Sequence, residues 1–185
     1  MAPFDPIPPD FPDARAAMAG TVISGGSQAG RTLLSLSEES PLLVLFLRHA
    51  GCTFCRQTAA DLMARRTAVE ARGVRPVIVM MSGEAGAAAF LARYSLADVP
   101  RVSDPTGRVY RAFGLRRGRF RQLFGVRVLW RGLVAGLVRG HGVGRVEGDP
   151  FQMPGAFQVH RGVVVRGEPA RDASAQPDLE GLCAV

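Results

Sequence analysis

The chain of 185 residues contains no lysine; all 23 of its basic residues are arginine. So complete an absence reads as coding bias, which weakens any step from the net charge of +7 to nucleic-acid binding. Cysteine is scarce as well, with Cys52, Cys55 and Cys183 alone. That odd, low count argues against an extracellular disulfide framework and for thiols kept reduced between reactions. Long apolar runs are missing: Pro41 to Leu47 falls far short of the roughly 20 residues a membrane span needs. The first 20 residues hold five prolines and neither a basic n-region nor an apolar h-region, so they do not read as a secretory signal. A soluble, cytoplasmic protein is expected.

What is present is concentrated in residues 41–58, PLLVLFLRHAGCTFCRQT. Leu42 to Leu47 shows no polar alternation, as in a strand covered on both faces of its sheet. After a short break come Cys52 and Cys55. From Cys52 to Arg72, Phe54, Ala59, Leu62, Met63 and Val69 recur at three- and four-residue steps with arginines between them, which predicts an amphipathic helix. The CxxC therefore falls at the mouth of a helix that follows a buried strand.

The remaining pattern predicts an α/β domain. Residues 1–20 are expected to form a Pro-rich arm on the surface or partly disordered. Thr21 to Ser24 and Thr32 to Leu36 flank the turn GGSQAGR and read as an N-terminal hairpin. Val74 to Met81 is a second buried strand despite Pro76, and Glu84 to Tyr94 a helix. A short extended piece lies at Val99 to Val102, and a helix through Val109, Tyr110 and Phe113 ends at Gly114. Gly155 to His160 and Val163 to Val165 form a terminal hairpin, and Asp178 to Val185 a last turn or helix carrying Cys183. Strands alternating with helices imply a mostly parallel sheet. One domain over 21–185 is expected, with a helical insertion over 116–150.

That insertion holds a basic amphipathic helix, with Val126, Leu129, Trp130, Leu133, Val134 and Leu137 on one side and Arg127, Arg131 and Arg139 opposite. From Arg101 to Arg145 there are 11 arginines and a single acid, Asp104. Such a run is either a solvated basic face or a grip on an anionic partner.

The pair Cys52 and Cys55 carries the chemistry. A thiolate, not a thiol, attacks peroxides and disulfides, so the site must lower a pKa that is about 8.5 in free cysteine. Unsatisfied N–H groups at the helix start favour negative charge there. Arg48, Arg56 and His49 add positive potential, and no acid lies between Glu39 and Asp61 to cancel it. Three-residue spacing on a helix puts the two residues about 5–6 Å apart, within disulfide range. Cys52 is then the attacking thiolate and Cys55 the resolving thiol. Two other readings stay open: a zinc site assembled from His49, Cys52, Cys55 and either Cys183 or His141, and two inert buried cysteines. His141 and His160 are lone histidines, and Tyr110, Asp104 and Arg101 fall near the same end of the sheet.

With LRHAGCTFCRQ at 47–57, ADVPRVSDPTGRVYRAFGL at 97–115 and HGVGRVEGDPFQMPGAFQVHRGVVV at 141–165, the chain resembles the peroxiredoxin-like branch of the thioredoxin superfamily. These are the alkyl hydroperoxide reductase/thiol-specific antioxidant proteins, and the SelL-related redox proteins among them are similar. The resemblance implies a thioredoxin-like fold, a central mixed sheet flanked by helices. It also implies a redox-active cysteine at a strand-to-helix junction, no metal or organic cofactor, a peroxide or disulfide substrate and an external thiol reductant. Cys52 and Cys55 match the CxxC, and Pro154 matches the proline, cis in such folds, that faces it. Typical members carry Pro-x-x-x-Thr-x-x-Cys; aligned on Cys55, Arg48 replaces the proline and Cys52 the threonine. Exchange between Cys52 and Cys55 fits this departure, and Cys55 as the peroxide-reactive thiol is the alternative. A non-catalytic module that binds an anionic partner through its arginines is the competing function.

Overall fold

A computed structural model describes residues 11–119, 122, 123, 125, 128, 130 and 148–184. Its centre is a five-stranded mixed sheet in the order β3-β2-β1-β4-β5. Here β1 is Leu42–Leu47, β2 Arg75–Met80, β3 Arg101–Ser103, β4 Gly155–His160 and β5 Val163–Pro169. The first three are parallel, and β4 and β5 add an antiparallel hairpin on the other side of β1.

The apolar run of β1 follows from its place in the middle. Leu43, Leu45 and Leu47 join Ile78 and Met80 on one face, under α3 (Thr53–Glu70) and α4 (Glu84–Ala92). Leu42, Val44 and Phe46 join Val77 and Val79 on the other, under α1 (Pro12–Ala19), α2 (Leu33–Glu39) and α5 (Arg108–Ala112). With both faces covered, no position of the strand tolerates a polar side chain.

Pro76 sits inside β2 without breaking it. Arg75 donates its N–H to Pro41 on the β1 side, so the missing N–H of Pro76 faces β3. There the first bond is made only at Ile78, to the carbonyl of Pro100, and β3 pairs with residues 78–80 alone. The proline thus occupies a stretch where its missing donor leaves no acceptor unpaired.

Three expectations change, two at the N-terminal side and one in the length of the last strand, while the tail is helical as expected. The arm expected over 1–20 is helical from Pro12 to Ala19, with Ala14 and Met18 buried; residues 1–10 lie outside the described residues. The second arm of the predicted hairpin is helix α2, because Thr32 caps it by accepting from the Ser35 N–H at 3.1 Å and Leu33 and Leu36 share its buried face. Of the hairpin there remain the antiparallel bridge between Val22 and Thr32 and the backbone bonds that join residues 21–23 to 30–33 around the turn. The strand after Arg161-Gly162 runs on to Pro169, and the tail closes with a short helix, α6 (Leu179–Leu182).

The amphipathic helix expected within 116–150 falls almost entirely outside the described residues, as does His141. Three of the arginines expected to make a basic surface spend their guanidinium groups internally. Arg101 pairs with Glu84 at 2.6 Å, Arg117 with Asp149 at 2.5 Å, and Arg111 donates to the Thr106 carbonyl at 2.8 Å.

One aromatic cluster locks the lower face of the sheet. Phe46 meets Tyr110 and Phe113 at centroid separations of 5.0 and 4.9 Å, and Phe113 meets Phe157 at 5.3 Å. The buried Tyr110 hydroxyl points up between β1 and β2, toward the carbonyls of Leu47 and of Val79, the latter at 3.1 Å. It thereby ties the last residue of β1 to its neighbour, just below the CxxC loop. Tyr110→Phe is expected to lower the unfolding free energy by about 1–2 kcal/mol, because it leaves a buried carbonyl without its donor. Urea unfolding measures this, and an unchanged midpoint would show that the hydroxyl contributes nothing there.

Candidate functional site

The chain leaves β1 at Leu47 and turns through Arg48, His49, Ala50 and Gly51 before entering α3. Two bonds shape that turn: the Cys52 N–H donates to the His49 carbonyl at 3.0 Å, and the Arg56 Nε to the Ala50 carbonyl at 3.0 Å. Cys52 takes the N-cap position with an extended backbone, and Cys55 lies in the first turn of the helix. Both thiols are free. Cys52 is 6% exposed and Cys55 2%, so Cys52 is the outer member of the pair.

Arg48 holds the two sulfurs together. Its backbone N–H donates to the Cys55 Sγ at 3.2 Å, and its Nη1 lies 3.7 Å from the Cys52 Sγ. Nη2 donates to the Pro150 carbonyl, which anchors the guanidinium against the segment leading into β4. The side chain is buried and its Nε has no partner. Among the described residues no carboxylate comes within ion-pair distance of it, so its charge is left to act on the sulfurs.

The two thiols are driven apart electrostatically. Cys52 falls to about 6, chiefly because the Cys55 thiol donates a hydrogen bond to it; burial opposes this, while Arg48 and the backbone amides of Cys55 and Phe54 assist. Cys55 moves well above the ordinary thiol range, first through burial and then because it serves as donor to a charged neighbour. One sulfur is therefore a thiolate at neutral pH while the other keeps its proton. His49 is lowered to about 4 by burial and by Arg48, so it is neutral, with its Nδ1 unpartnered.

Of the residues singled out in the sequence, Cys52, Cys55, Arg48 and His49 converge here. Pro154, just before β4, lines a cavity with Cys55, Phe54 and Thr58. Its peptide bond is trans, unlike the cis bond expected from the resemblance, since no described bond is cis. Cys52 does not line that cavity. His160 lies at the far end of the sheet, where its neighbour Val159 pairs with Leu42. Asp104 is a helix cap, accepting from the N–H groups of Arg108 and Val109 at 3.1 and 2.7 Å. Cys183 is wholly buried at the end of α6, its thiol pushed up to about 11 mainly by burial. Among the described residues no three His, Cys, Asp or Glu side chains gather as metal ligands would, so Cys183 does not complete a zinc site with the pair; His141, the other ligand of that reading, lies outside the described residues.

Sequence reasoning missed the carbonyl of Pro150, Thr58 and Gln176. Gln176 stands 118 positions from Thr58, yet their side chains bond at 2.8 Å. No local pattern announces such a pair.

A paired thiolate and thiol at the start of a helix, fed by a central strand, is an arrangement chemically able to exchange thiols and disulfides. Residues 12–140 match the AhpC/TSA family, and the chain belongs to it. Its fold is similar to that of peroxiredoxin Q from Xanthomonas campestris, at a TM-score of 0.63 and 17% identity over 98% of this chain and 94% of the other. It is also similar to peroxidoxin BcpB of Mycobacterium tuberculosis, at 0.59 and 16% over 84% and 86%. A third likeness is to a secreted M. tuberculosis disulfide oxidoreductase, at 0.51 and 14% over 88% and 91%. No curated protein matches the chain significantly. No helix among the described residues is long and apolar enough to cross a membrane.

Two outcomes follow. Arg48→Gln removes the guanidinium near Cys52 and is expected to raise the thiolate midpoint from about 6 toward the ordinary value, read from thiolate absorbance against pH; an unmoved midpoint would remove Arg48 from the account. Stability should also rise with pH from about 4 to about 9. His49 stays neutral down to about 4 when folded but takes a proton below 6.5 when unfolded. Cys52 ionises from about 6 when folded but only near 9.0 when unfolded. In both windows the unfolded chain binds more protons, so folding gains as pH climbs. Cys52→Ser should flatten the upper window and spare the lower one in denaturant titrations.

Proposed function

We propose that the protein is a thiol-dependent peroxide reductase in which Cys52 attacks and Cys55 resolves. The observation that carries this reading is the polarised pair under Arg48: a sulfur lowered to about 6, 3.7 Å from a buried guanidinium, beside a protonated partner. Family membership and the likeness to peroxiredoxin Q support peroxide as the oxidant.

The chemistry runs in three steps. The Cys52 thiolate attacks one oxygen of the hydroperoxide, the O–O bond breaks, and the departing alkoxide or hydroxide takes up a proton. Arg48, already aimed at Cys52, stabilises negative charge on that leaving oxygen. Cys52 is left as a sulfenic acid. Cys55 then attacks the Cys52 sulfur, the S–O bond breaks, and hydroxide leaves as water with the Cys55 proton. An external thiol donor returns two electrons and restores both thiols. This cycle uses the chain's own sulfur and suits a reducing cytoplasm.

The same dithiol is chemically able to attack a disulfide. The replacement of the usual proline and threonine by Arg48 and Cys52 favours that second substrate class, as does the likeness to a disulfide oxidoreductase. In either case Cys52 leads.

Trapping tests the order. Cys55→Ser should accumulate a Cys52 sulfenic acid with peroxide, captured by dimedone, or a mixed disulfide with a disulfide substrate. Cys52→Ser should lose turnover by at least about a hundredfold, the scale of losing an activated nucleophile. Wild-type turnover in Cys52→Ser with dimedone capture at Cys55 would reverse the assignment.

A further inference from the structure

Between β5 and α6 the chain crosses back over the start of α3. Residues 170–177 roof the cavity beside Cys55 with Ala170, Ala173, Ala175, Gln176 and Pro177. The space beneath is narrow and only partly closed, about 30 Å³, room for roughly two water-sized molecules by the usual measure of about 10–15 Å³ each.

The crossing is fastened along its length. At one end the Ala170 N–H donates to the Pro154 carbonyl at 3.1 Å, and at the other the Asp178 N–H donates to the Glu168 Oε2 at 3.0 Å. In the middle the Ala173 N–H meets the Gln122 carbonyl at 2.9 Å, and the Gln122 Nε2 returns a bond to the Arg171 carbonyl at 3.1 Å. The decisive fastening is Gln176. Its Oε1 lies 2.8 Å from the Thr58 hydroxyl, whose one proton it shares with the Phe54 carbonyl at 3.0 Å, and its Nε2 donates to that same carbonyl at 3.4 Å. Both partners belong to the first turns of α3, on either side of Cys55.

We propose that residues 170–177 form a latched strap that screens Cys55 from every reagent larger than water, with Gln176 as its latch. The strap confines exchange with outside molecules to Cys52, whatever oxidant the site takes. Alkyl peroxides and thiol reductants meet one sulfur, and the resolving thiol answers only its neighbour. Gln176 and Thr58 are thus specificity-determining without touching either sulfur. The inference deepens the proposed function, yet its test does not depend on turnover.

The experiment measures alkylation of Cys55 by iodoacetamide in the Cys52→Ser protein, followed by mass spectrometry. Cleavage after arginine places Cys55 in the fragment 49–56 and Cys183 in 172–185, so each thiol is read separately. Adding Gln176→Ala should speed Cys55 alkylation by about tenfold, on the scale of losing one or two buried hydrogen bonds, and leave the Cys183 rate unchanged. Thr58→Val, which keeps the side-chain shape, should act in the same direction. Unchanged Cys55 rates in both variants would overturn the proposal. Equal acceleration at Cys183 would overturn it too, because it would signal loosening of the whole fold instead of an opened strap. Rapid Cys55 alkylation before any latch mutation would show that no screen exists. Failure of the Cys52 assignment would register in the dimedone experiment and leave these rates unaffected.

Discussion

The contact on which the account rests is the double hold of Arg48 on two sulfurs, by its backbone N–H on Cys55 at 3.2 Å and by its guanidinium near Cys52 at 3.7 Å. Two neighbouring thiols in one buried environment would otherwise titrate alike. Their inequality comes from direction: Cys55 donates to Cys52, and the Arg48 guanidinium reaches the outer sulfur. A pair so biased has a ready nucleophile and a reserve proton at once, as a two-cysteine cycle requires.

The rest of the fold keeps that hold in register. β1 is buried on both faces and ends at Leu47, where the Tyr110 hydroxyl fixes its last carbonyl. The next residue is Arg48, so any slip of the strand would move both contacts. From the opposite side the Pro150 carbonyl takes the guanidinium, and the segment following it becomes β4, which pairs with β1. The helix start supplies amides to Cys52, and the crossing of residues 170–177 lines the space behind Cys55. Each element touches the dithiol through main-chain or buried groups, whose positions are set by the sheet and not by surface charge.

Much of this was legible in the sequence where local pattern and tertiary role agree. Leu42 to Leu47 announced a central strand because burial on both faces removes polar alternation, and the CxxC after it marked the helix start. Thr32 to Leu36 misled because alternating Leu and Ser suit a strand as well as a short capped helix; the Thr32 cap decides, and its effect depends on Leu33 and Leu36 finding a buried face. The proline at 154 lines the cavity beside Cys55, but its trans bond is not encoded in neighbouring residues. Gln176 was invisible because its role exists only once β5 and α6 return the chain to α3. Arg48 was visible as a charge. Its backbone contact to Cys55 was not, since that needs the turn His49 to Cys52 to fold back.

Membership of the AhpC/TSA family sets the class of chemistry, while the two residues before the second cysteine's usual motif positions differ from typical members: arginine where proline is typical, cysteine where threonine is. In this chain the extra cation and the extra thiol are neighbours in space, so the two departures form one device. That device requires the two sulfurs to be unequal. Carbon-13 labelling of the cysteine β-carbons, followed by NMR across pH 4 to 11, observes each thiol in the intact reduced protein. The account predicts one β-carbon, assigned to Cys52, titrating near 6 and that of Cys55 remaining in its thiol form beyond 9. Two β-carbons titrating together in the ordinary thiol range, or the order reversed, would contradict it.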